Sequence, residues 1–127
     1  MRPVIRGPRE VIVEMSPTFI CDFEAFTNVT RVDWYWYQGL TNIASTDVKE
    51  QETTASDRYA VRLVGYSVLL TIENITAKDE KRLECYVYYE VYEKDPSDRN
   101  KTVLNVKQSL PASWTYRLQG TVLAIRL

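Results

Sequence analysis

The chain reads as an all-β sandwich of two packed antiparallel sheets, and three observations lead there. Short segments rich in Val, Ile, Leu and Tyr alternate with period two and recur along its 127 residues. Clusters of turn-favouring residues separate them, and no stretch carries the periodicity of an amphipathic helix. Each such strand needs a partner layer for its apolar face, and two sheets laid face to face supply one.

The strands follow in order. "REVIVEM" sets Val11 and Val13 against Ile12 and Glu14, and "PTFICDF" places Phe19, Cys21 and Phe23 on one side. "RVDWYWYQG" sets Val32, Trp34 and Trp36 against Asp33, Tyr35 and Tyr37. "RYAVRLV", "SVLLTIENI", "LECYVYYEVYE" and "KTVLNVK" complete the series. "SPT", "QGLTN", "TTASD", "TAKDE" and "DPSDRN" read as the breaks between them.

Composition narrows the function. A hydrophobic content of 45% fills the core of one domain, and a net charge of -1 leaves no broad basic surface for nucleic acid. No apolar run approaches the roughly 18 residues that span a bilayer. "MRPVIRGPRE" lacks the apolar stretch of a signal peptide, so the chain reads as a fragment of something longer. Histidine is absent, which removes the usual nucleophilic triads, the common zinc ligand sets and the near-neutral general base. The 17 carboxylates are scattered, and four glycines form no phosphate loop. No catalytic residue, metal or cofactor is expected.

"LTIENITAKDEKRLEC" carries the most specific pattern. Leu70 and Ile72 alternate into a core, and Asp79, Leu83 and Cys85 follow. This resembles the corner before the second conserved cysteine of the immunoglobulin superfamily, and the likeness extends over about residues 9–107. It implies an immunoglobulin-like sandwich of V or I type. Cys21 would be the first cysteine, and Trp34, 13 residues later, the core tryptophan. Arg58 stands where V-type domains place an arginine that pairs with the corner aspartate, here Asp79. The chain also departs from the pattern. Leu83 holds the place of the corner tyrosine, Lys81 replaces a small residue, and Trp36 competes with Trp34 for the core.

The resemblance implies a Cys21–Cys85 disulfide, which would close 64 residues and contribute about 4 kcal/mol in the chain-entropy account. Two buried free thiols are the competing reading. Three N-x-S/T sequons, at Asn28, Asn74 and Asn100, fall at or beside strand ends where a glycan projects into water. Together with the two cysteines they favour an oxidising, extracellular setting.

Shorter likenesses point further. "RPVIRGP" before "VIVEM", the segment "ITAKDEKRLEC" and the segment "NVKQSLPA" resemble the third, membrane-proximal domain of interleukin-1 receptor family members. That family implies a secreted or cell-surface receptor module contributing to protein ligand and co-receptor binding. On this reading residues 1–107 form the domain, and 108–127 a C-terminal tail or juxtamembrane segment. "GTVLAIRL" could equally add a strand. The alternative function is a self-contained V-type adhesion or immune-recognition domain.

That alternative rests on surface residues. With Cys85 inward, Glu84, Tyr86, Tyr88, Glu90 and Tyr92 point outward. With Trp34 inward, Asp33, Tyr35 and Tyr37 do the same on a neighbouring strand. Tyr35, Tyr37, Tyr86, Tyr88 and Tyr92 would then share one face suited to a protein ligand, a co-receptor or a second copy. Cross-strand aromatic pairing that only stabilises the sheet is the bland reading.

Overall fold

The structure, a computed structural model, describes residues 1–36, 41–79, 81–94, 97 and 102–119. It is an immunoglobulin-like β-sandwich. The strands are β1 (Val4–Arg6), β2 (Glu10–Ile12), β3 (Thr18–Asp22), β4 (Val29–Trp36), β5 (Asn42–Asp47) and β6 (Glu52–Ala55). After them come β7 (Tyr59–Val64), β8 (Ser67–Ile72), β9 (Leu83–Lys94), β10 (Thr102–Gln108), β11 (Ala112–Trp114) and β12 (Arg117–Gln119). A 3-10 turn, Ala77–Asp79, precedes β9.

One sheet runs β1-β3-β8-β7, and the other runs β10-β9-β4-β5-β6 with β11 also on β9. β5 and β6 are the additional strands that distinguish the variable-type arrangement from the constant type. All these pairings are antiparallel, but β12 pairs β2 in parallel. Gly7 lies between β1 and β2, where a Cβ would meet the Phe19 ring at 2.5 Å. Only glycine fits that approach.

Alternation produces the core. Val68, Leu70 and Ile72 of β8 are fully buried, as are Phe19 and Cys21 of β3. From the facing sheet come Val32 and Trp34 of β4, and Leu83, Cys85 and Val87 of β9. Each large apolar side chain so buried stabilises by about 1.5–3 kcal/mol. Cys21 and Cys85 are joined across the sheets, with their Cα atoms 6.5 Å apart. Trp34 lies opposite Cys85 in the strand register, and its indole is fully buried. Trp36 is buried too, but nearer the rim, where its indole N–H donates to the Tyr59 hydroxyl at 3.0 Å.

Two expectations need correction. The domain does not end at residue 107. β10 ends at Gln108, Ser109 still donates its backbone N–H to the Val87 carbonyl at 2.9 Å, and β11 then pairs β9 with Ala112 opposite Cys85. β12 next closes on β2, and Tyr116 between them is buried in the core. The segment "TTASD" is not wholly a break either. Thr53–Ala55 belong to β6 and pair with β5, a strand whose Ile43, Ala44 and Thr46 are buried.

Candidate protein-binding face

The outer face of the six-stranded sheet gathers the tyrosines. β4 and β9 run antiparallel, so Arg31 lies opposite Tyr88, Asp33 opposite Tyr86 and Tyr35 opposite Glu84. The Tyr35 and Tyr86 rings meet edge to face, 5.0 Å between centroids. The Arg31 guanidinium lies over the Tyr88 ring at 4.3 Å, a cation–π contact. Tyr35, Tyr86 and Tyr88 are half-buried, and Tyr92 is 56% exposed. Tyr37 and Asn100 lie outside the described residues.

Each of three tyrosines donates its hydroxyl to a carboxylate two positions earlier on the same strand. Tyr92 reaches Glu90 at 2.7 Å, Tyr86 reaches Glu84 at 3.3 Å, and Tyr35 reaches Asp33 at 3.5 Å. The geometry follows from the pleat, which puts residues i and i-2 side by side on one face. Cations flank the acids. Lys49 donates to Glu90 at 2.6 Å, and the Arg31 Nε lies 3.1 Å from Asp33. The phenols are held above their ordinary pKa of 10.0, by burial and then Asp33 for Tyr35, and by burial and then Glu84 for Tyr86. For Tyr92 the hydrogen bond to Glu90 is the main cause. At neutral pH the face therefore presents neutral phenols fixed by acids.

Asp33 and Glu84 correct the outward reading. Both sit on the outer face, yet they are 2% and 6% exposed, covered by the aromatic rings and the arginines beside them. Burial raises the Asp33 pKa, and Arg31 offsets that only in part. Among the described residues, one Asp33 carboxylate oxygen, Oδ1, has no hydrogen-bond partner.

The remaining predicted residues are structural. Arg58 grips Asp79 with two contacts of 2.6 Å, and its Nε and Nη2 also donate to the Glu73 carbonyl. The Thr76 backbone N–H adds a third hydrogen bond to Asp79 at 2.8 Å. Leu83, Leu70 and Ile72 lie in the core. The hydroxyl that Leu83 cannot supply comes from Tyr116, which donates to the Asp79 carbonyl. Nothing read from the sequence singled out Tyr116. Asn28 and Asn74 are exposed at loop positions with left-handed backbone, φ 56° and 49°.

Among the described residues, no three His, Cys, Asp or Glu side chains are placed to hold a metal. No helix among them is long and apolar enough to cross a membrane. No protein-family model matches the chain, and no curated protein matches its sequence.

Proposed function

We propose that the chain is an extracellular protein-recognition domain that binds its partner through the outer face of β9, β4 and β5. One observation carries this reading. Four tyrosines share that face, and three have their hydroxyls tied to carboxylates while Arg31 fixes the fourth ring. Rings ordered before binding lose little entropy on contact, so their apolar area counts toward affinity. Sheet stabilisation alone would not require Tyr92 to stand in solvent. The disulfide and the exposed Asn28 and Asn74 sequons support the extracellular setting.

A receptor module of interleukin-1 receptor type is the second reading. It rests on the "RPVIRGP", "KDEKR" and "VKQ" segments and needs neighbouring domains to bind. The strands β5 and β6 favour the self-contained recognition domain, since they widen the sheet behind the tyrosine face.

The test is a binding screen against a panel of extracellular domains. It compares the native chain, a Tyr86→Ser/Tyr88→Ser variant and a variant of the opposite sheet, Thr18→Ala/Thr71→Ala. Loss of a specific interaction in the first variant alone supports the proposal. Retention in that variant, or loss only in the second, overturns it.

A further inference from the structure

We propose that β10 is a docking edge and that its occupant is a second copy of the chain, paired antiparallel about Asn105. β10 bonds β9 on one side, and among the described residues no strand pairs its other side. Among the described residues, β2 pairs β12 alone. The register from Thr102 opposite Lys94 to Gln108 opposite Tyr88 contains no bulge. The free side is therefore a straight row of backbone N–H and C=O groups, and the group that satisfies such a row is another strand.

The side chains agree. β4 stops pairing with β9 at Val29 opposite Tyr89, so the far half of the β9–β10 hairpin extends past the sheet. A lone two-stranded ribbon is marginal in water. This one nevertheless exposes Tyr92, Val103, Leu104 and Val106 by 40–59%. Natural edges are usually protected by charge, proline or a bulge. β10 carries only Lys107, and that ammonium is drawn to Glu93 at 3.5 Å.

A second copy fits because the strand is self-complementary. Asn105 is the midpoint of Thr102–Gln108, so a two-fold axis there pairs all seven residues. Leu104 then faces the copy's Val106, twice over, on the side where Tyr92 lies opposite Leu104. Val103 faces the copy's Lys107, one strand from Glu93 on the same side. No like charges oppose. Centring the pair on Leu104 or Val106 instead leaves an apolar residue facing Thr102 or Gln108. The contact lies on the strand edge, touches the tyrosine face at Tyr92, and does not involve Tyr35, Tyr86 or Tyr88.

Light scattering on the native chain, up to about 1 mM, tests the pairing. The mass should rise from 14.8 kDa to twice that. Leu104→Lys with Val106→Lys changes exposed positions, should leave the fold intact and should hold the mass at the monomer value. Leu104→Glu with Val106→Glu should do the same, and mixing the two variants should restore the dimer. Tyr86→Ser with Tyr88→Ser should leave dimerisation unchanged. A monomer at every concentration overturns the proposal, as does a dimer that survives the lysine variant.

Discussion

The Tyr116 hydroxyl donates to the backbone carbonyl of Asp79, 37 residues earlier in the chain, inside the core. The same Asp79 uses its side chain to hold Arg58, so one residue is anchored from two directions. In the tyrosine corner of antibody domains the tyrosine sits two residues before the second cysteine. Here that place is Leu83, and the hydroxyl comes from the segment between β11 and β12. Tyr116→Phe keeps the ring packed on Phe19, 5.5 Å away, and leaves the Asp79 carbonyl with the Lys81 backbone N–H, 2.7 Å away, as its remaining donor. It should cost about 0.5–1.5 kcal/mol, read as a lower midpoint in urea at unchanged slope.

The same contact makes the last strands part of the domain. A chain ending at residue 107 loses β11, β12 and Tyr116, and uncovers Val11, which is 4% exposed in the sandwich. It should show no cooperative thermal transition, whereas a chain ending at 119 should retain one. Calorimetry on the two decides.

Acid should weaken the corner. Burial pushes the Asp79 pKa up, but the hydrogen bonds from Arg58 and Thr76 outweigh it and leave the pKa below its ordinary 3.8. A depressed carboxylate stabilises the fold above its unfolded-state pKa, and that stability is lost as pH falls through the folded value. Thermal midpoints of the native protein should therefore drop below about pH 4, while Asp79→Asn should start lower and depend less on pH. Arg58→Ala, which leaves the buried carboxylate without its partner, should cost about 2–3 kcal/mol at neutral pH.

Asp33 should behave with the opposite sign. Its pKa is raised by burial, so its ionised form costs stability above the folded pKa, and acid relieves that cost. Asp33→Asn removes the buried charge, while Arg31, half exposed, stays solvated. The variant should melt at or above the native temperature at neutral pH. A loss of several degrees would show that the Arg31–Asp33 pair stabilises the fold on balance.

These cases show how far the sequence could be read. The core was legible where large apolar residues alternate over five or more positions, as in "SVLLTI" and "PTFICDF". The acid-x-Tyr spacing at Asp33–Tyr35, Glu84–Tyr86 and Glu90–Tyr92 underlies the hydroxyl–carboxylate pairs, but alternation alone did not single it out. β5 was not legible, because "NIASTD" buries small and polar residues that carry little strand signal. β11 and β12 are three residues each, too short for any periodicity. Burial of Asp33 depends on rings from two strands and could not follow from alternation on one.

The central claim is that the tyrosine face meets the partner. Tyrosine nitration read by mass spectrometry, with and without the bound partner, tests it most directly. Tyr35, Tyr86, Tyr88 and Tyr92 should be protected in the complex, while Tyr66, 64% exposed at the β7–β8 turn, should react equally in both states. Protection of Tyr66 with the four face tyrosines unchanged would contradict the account.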